Sequence, residues 1–99
     1  MAAMERTVVL VRHRVANYRR WKDTFDADRP NLEAHGCTGT RLFRFVDRPN
    51  ELVLLLSCRD PRQARELIES EDLRDAWARS GVTDRPDVYL LEELAATEG

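Results

Sequence analysis

Residues 8–25, VVLVRHRVANYRRWKDTF, decide the fold. The segment reads as a strand whose apolar alternation runs out at His13, with Val9, Val11, His13 and Val15 on one face and Val8, Leu10, Arg12 and Arg14 on the other. One face therefore ends in an imidazole and the other in two guanidinium groups. Asn17 then supplies a side-chain oxygen suited to cap a helix, and Tyr18, Trp21 and Phe25 fall on one stripe of that helix. The aromatic stripe requires burial, and the preceding strand is the nearest surface for it.

Further along, Pro30 cannot donate to the carbonyl four residues back, which predicts a kink or restart near residues 28–30. Gly36, after His35, suits the left-handed position that closes a helix. Residues 38–47, TGTRLFRFVD, alternate as a second strand, with Arg44 between Leu42 and Val46 on an otherwise apolar face. Arg48, Pro49, Asn50 and Glu51 read as a turn. It leads into LVLLLSC, residues 52–58, whose nearly continuous apolar character predicts a central strand. Asp60, Pro61 and Gln63 mark a helix start of capping-box type, and Ser70 with Glu71 and Asp72 marks a second start. Ala64, Leu67, Ile68, Leu73, Ala76 and Trp77 form the inner stripes, Gly81 ends the second helix, and VYLLEEL, residues 88–94, is the last strand.

Strands are thus expected at 7–15, 38–47, 51–58 and 87–94, in the βαββαβ order of a ferredoxin-like α+β fold. That order implies a four-stranded antiparallel sheet with the helices on one face. The second and third strands carry large apolar groups on both faces, so the uncovered face needs a cover from outside the chain. An identical sheet is the simplest one, which predicts a homodimer through the sheet faces.

The 99 residues suit a single domain, 1–99, of a size that gains from a partner subunit. Sixteen basic and eighteen acidic residues, net −2, are spread without blocks, which argues against nucleic acid as a partner. Residues 1–14, MAAMERTVVLVRHR, hold too short an apolar run for a signal peptide or a membrane span. Two cysteines, Cys37 and Cys58, are too few to frame a disulfide-built fold, and neither has metal-ligand spacing. A reduced, cytoplasmic protein without a metal or other cofactor is the expectation. No glycine-rich phosphate loop, nucleophile elbow or zinc signature occurs, which removes the commonest nucleotide-dependent and hydrolytic classes.

Residues 11–26, VRHRVANYRRWKDTFD, residues 36–52, GCTGTRLFRFVDRPNEL, and residues 87–94, DVYLLEEL, together resemble the dimeric α+β barrel proteins, in the neighbourhood of antibiotic biosynthesis monooxygenases and small proteins labelled "cyclase". The resemblance covers nearly the whole chain and implies that fold. The superfamily hosts cofactor-free oxygenases, polyketide cyclases, isomerases, haem-degrading enzymes and proteins without known activity, so the resemblance implies a range of functions rather than one. In the oxygenase and haem-degrading relatives the pocket lies between the sheet and its helices.

Against that background the candidate catalytic residues are His13, Arg44 and Tyr89, and the candidate substrate-binding residues are Trp21, Phe25 and Trp77. His13 can move a proton near neutral pH; the alternative is an imidazole hydrogen-bonded to a neighbouring strand or carboxylate. Arg44 needs an anionic partner, either a substrate carboxylate, phenolate or enolate or an acidic side chain such as Glu92 or Glu93. Tyr89 can donate to an oxyanion or serve as packing area. The three large aromatics are either a wall for a flat ligand or plain core. His35, at a helix end, has a structural reading, and a haem role has His13 and His35 as its sole imidazoles. Two functions compete: a cofactor-independent cyclase or monooxygenase acting on an aromatic or polyketide-like molecule, and a non-catalytic dimer that binds a small hydrophobic ligand.

Overall fold

A computed structural model describes residues 7–95. The expected absence of a targeting segment rests partly on residues 1–6, which lie outside that range. Strand β1 (Thr7–Arg14) leads to helices α1 (Tyr18–Ala27) and α2 (Arg29–Ala34), then strands β2 (Cys37–Phe45) and β3 (Arg48–Cys58). Helices α3 (Pro61–Glu69) and α4 (Glu71–Arg79) and strand β4 (Asp87–Glu92) complete the chain. All pairings are antiparallel, and the sheet order is β2-β3-β1-β4. The arrangement is ferredoxin-like, with each crossover helix divided in two.

Local chemistry accounts for the divisions. Asn17 Oδ1 accepts from the Arg20 amide at 2.9 Å and opens α1. Pro30 stands in the first turn of α2, where its missing N–H costs nothing, so the chain breaks at Asp28 and restarts. Asp60 caps α3 through the Gln63 amide at 2.8 Å, and Ser70 caps α4 through that of Leu73 at 3.2 Å. The reciprocal half of the capping box is absent: Gln63 Oε1 is buried without a hydrogen-bond partner among the described residues. Gly36 takes φ 78°, the left-handed value read from the sequence.

Two expectations need correction. The hairpin turns at Val46 and Asp47, not at residues 48–51, and Arg48 already pairs with Phe45. Pro49 is tolerated inside β3 because the register slips there: Arg44 faces Leu52 and Phe45 faces Arg48, leaving the residues between unmatched. The cysteines are not reduced thiols. Cys37 and Cys58 face each other across β2 and β3 and form a disulfide, a pairing their separation of 21 in sequence did not disclose.

The core lies between the sheet and the helices. Val9 and Val11 on β1 and Leu52, Leu54 and Leu56 on β3 meet Trp21, Leu32, Ala64, Leu67 and Leu73 from the helices. The opposite sheet face carries Leu10, Leu55, Phe43, Tyr89 and Leu91, and no described element covers it. Leu67 is completely buried, so Leu67→Ala should destabilise the fold by about 2–5 kcal/mol, as cavity-forming substitutions do. Urea unfolding at fixed protein concentration measures it, and a change under 1 kcal/mol would show that α3 does not anchor this core.

Candidate active site

Period-two alternation on β1 sends Val9, Val11 and His13 under the helices, where a cavity remains. Its floor is those three residues with Leu54 and Leu56; its walls are Trp21 and Phe25 of α1, Leu67 and Ile68 of α3, and Leu73, Ala76 and Trp77 of α4. Thr24, Asp28 and Ser80 add polar atoms to an otherwise apolar lining. Counting its open side the void encloses about 520 Å³, but only about 40 Å³ of it can hold the centre of a water-sized sphere. It is a narrow slot, smaller than the several hundred Å³ typical of a preformed drug-sized site.

His13 is the unusual group in it. The side chain is 1% exposed, and neither Nδ1 nor Nε2 has a hydrogen-bond partner among the described residues. Its ring meets Trp21 edge to face at 5.5 Å between centroids, and Trp21 stacks on Phe25 at 5.1 Å with 11° between planes. Burial lowers the His13 pKa, outweighing the opposing influence of its own backbone and of Asp84. The ring is therefore neutral at pH 7, with one nitrogen free to accept a proton. Burial pushes the Asp28 carboxyl the other way, upward, with Asn31 and Arg79 opposing. The hydroxyls of Thr24 and Ser80 donate to the Arg20 and Trp77 carbonyls at 3.2 and 3.1 Å, which leaves their oxygens as acceptors.

Of the residues expected from the sequence, His13, Trp21, Phe25 and Trp77 come together around this slot, and Arg44 and Tyr89 do not. His13 lies in the floor of the slot. Arg44 is exposed on edge strand β2, donates from Nε to the Pro49 carbonyl at 2.9 Å and lies 4.9 Å over the Tyr18 ring, so the slip at Pro49 supplies its partner in place of Glu92 or Glu93. Tyr89 pairs with Leu10 on the opposite sheet face and is 57% exposed. His35 has the structural contact expected, with Nδ1 2.9 Å from the Asn31 carbonyl. Thr24, Asp28 and Ser80 were not foreseen. The helix break before Pro30 was the available signal for Asp28, since the non-helical step there turns its carboxyl toward the slot. Among the described residues no three of His, Cys, Asp and Glu are grouped to hold a metal ion.

The fold is the ferredoxin-like α+β fold also found in structures named for antibiotic biosynthesis monooxygenases. A Bordetella bronchiseptica structure named for that group superposes with TM-score 0.72 at 16% identity, over 91% of this chain and 99% of the other. SnoaB, a cofactor-independent oxygenase from Streptomyces nogalater, superposes with TM-score 0.72 at 14% identity over 94% and 97% of the two chains. A Caulobacter crescentus structure, also named for antibiotic biosynthesis monooxygenases, gives 0.69 at 15% identity over 90% of each. The shared feature at these identities is the fold. No family model and no curated protein sequence matches the chain.

The buried imidazole has a measurable consequence for stability. With its folded pKa below the ordinary 6.5, the unfolded chain binds the proton first, so stability falls as pH drops below that value. One such group contributes at most about 1.4 kcal/mol per pH unit. Urea unfolding at pH 7.5 and 5.5 should show a larger acid loss in wild type than in His13→Gln. Equal losses would mean that the ring is not held neutral.

Proposed function

We propose that the protein is a cofactor-independent enzyme acting on an aromatic or polyketide-like small molecule, with His13 as its proton-transfer group. One observation carries this reading: a fully buried imidazole with no hydrogen-bond partner among the described residues forms part of an apolar slot beside Trp21. Such a nitrogen accepts the proton of a phenol or enol and leaves an anion in a site from which water is excluded. The anion then attacks a carbonyl of the same molecule, as cyclisation requires, or reacts with dioxygen as co-substrate, as oxygenation requires. The fold shared with SnoaB, an oxygenase without a cofactor, favours chemistry of this kind. Trp21, Phe25 and Trp77 would flank the ring of the ligand. Half-buried Phe25 and Trp77 must shift to admit it, because the slot as it stands is narrow. Arg44 and Tyr89 have no part at this slot.

The narrowness favours a second reading, a non-catalytic protein whose aromatics are simply core. His13→Gln separates the two. Turnover of an accepted substrate should fall roughly 10²-fold or more, the usual scale of general acid–base help, with melting temperature and oligomeric state retained. Full activity in the variant would exclude proton transfer by His13.

A homodimer through the sheet faces belongs to the same proposal. Phe43, Tyr89 and Leu91 are 41%, 57% and 41% exposed on the uncovered face, apolar area that a second sheet would bury. A stable pair would bury on the order of 1,600 Å² in total. Light scattering should give a dimer at micromolar concentration and a monomer for Leu91→Arg; a monomeric wild type would remove the sheet-to-sheet arrangement. No described helix is long and apolar enough to cross a membrane. We assign the protein to the cytoplasm, where the Cys37–Cys58 disulfide, 3% and 0% exposed, is shielded from thiol exchange by burial.

A further inference from the structure

The slot has a polar mouth. Thr24 and Asp28 belong both to its lining and to a surface depression between α1 and α4, whose other sides are Asp23, Ala27 and Arg79. Asp28 occupies the step between α1 and α2; its side chain makes no capping hydrogen bond to the α2 backbone, and the Asn31 side chain of α2 is its near polar neighbour. The guanidinium of Arg79 stands opposite, with Nη2 4.0 Å from Asp28 Oδ1. That separation is too long for a direct hydrogen bond, so the pair is not closed on itself.

An oxygen atom seated to one side of the pair, off the line joining them, would lie within hydrogen-bond distance of both. The chemistry then selects its type. A hydroxyl can donate to the carboxylate and accept from the guanidinium at once, whereas a carboxylate ligand can only accept. The local charge also leans against an anion: Asp23 and Asp28 border the depression and Asp72 in the first turn of α4 acts on Asp28, against Arg79 and Arg20, whose Nη2 donates to the Arg79 carbonyl at 3.2 Å. We propose that Asp28 and Arg79 form a specificity element at the mouth of the slot, which selects neutral hydroxylated aromatics over aromatic carboxylates. The phenolic hydroxyl bridges the two side chains, and the ring extends inward past Phe25 toward Trp21. This rests on the slot being the substrate site and is independent of whether His13 transfers a proton.

Binding of two single-ring probes, 4-methylphenol and 4-methylbenzoate, tests it. Titrations near pH 7, where the first is neutral and the second anionic, are followed by NMR at the indole N–H groups of Trp21 and Trp77. Wild type should bind the phenol at least ~10-fold more tightly than the benzoate, a difference of about 1.4 kcal/mol. Asp28→Asn should remove most of that preference by admitting the benzoate. Arg79→Gln, at an exposed side chain whose loss leaves the core intact, should weaken the phenol by several-fold while the melting temperature holds. Equal affinity of wild type for both probes, an unchanged ratio in both variants, or no binding of either probe would overturn the proposal. Selectivity that disappears in Asp28→Asn while His13→Gln keeps full turnover would leave this element standing and reject the proton-transfer role of His13.

Discussion

The two-residue period of β1 is the constraint on which the molecule depends. Arg12 and His13 are adjacent in sequence, yet the pleat sends them to opposite faces with opposite electrostatic fates. Arg12 is held by Asp87 at 2.7 Å, Glu51 at 3.0 Å and Asp84 at 3.1 Å, which raises its already high pKa further. Those carboxylates come from β3, the loop before β4, and β4 itself, so one guanidinium ties together three segments that meet at the end of β1. Arg14 continues the arrangement, its amide donating to Asp84 at 2.8 Å and its carbonyl accepting from Thr83 at 2.9 Å. The loop that closes the sheet at this end is thereby fixed, and His13 is enclosed from behind.

Arg12 also bears on the uncovered face. Burial of an unpaired guanidinium under a partner sheet would be costly, but one already bonded to three carboxylates brings its own compensation. The face can thus be apolar through Leu10, Leu55, Tyr89 and Leu91 and still carry a charge near one end. Glu51 is placed likewise: its side chain is nearly buried, and Arg12, Arg14 and Arg48 surround it within 3.5 Å.

Strand order and helix starts and stops were legible because each rests on local chemistry, whereas alternation left open which face of β1 the helices cover, a choice made by packing. Asn17, Asp60, Ser70, Gly36 and Gly81 act on residues within one turn, and Leu52 to Cys58 states its own burial through composition. The errors lie where distant parts of the chain meet. Arg44 sits on a side of β2 whose character depends on the slip at Pro49, and that slip depends on pairing with β3. Tyr89 belongs to the face opposite His13, which follows from the β1–β4 register and not from its own neighbours in sequence. The disulfide and the inward carboxyl of Asp28 are of the same kind. Alternation and helical spacing singled out His13 and the three aromatics, and the packing of the helices on the Val9–Val11 face brings them together.

The remaining question is why a histidine stands where the register offers a place for leucine. Its neighbours Val9 and Val11 and its cross-strand partner Leu52 are apolar, and Trp21 covers it with a ring edge. A buried polar group without a hydrogen bond costs on the order of 1–3 kcal/mol, and an aliphatic side chain of similar volume would avoid that. No hydrogen bond among the described residues offsets the cost. A ligand hydroxyl at the inner end of the slot, separate from one held at its mouth, would offset it by donating its O–H to the imidazole. Under the proposed function, the unfilled hydrogen-bonding capacity of His13 would act as part of the ligand affinity, and the nitrogen that gains a hydrogen bond on binding would be the one to take the proton.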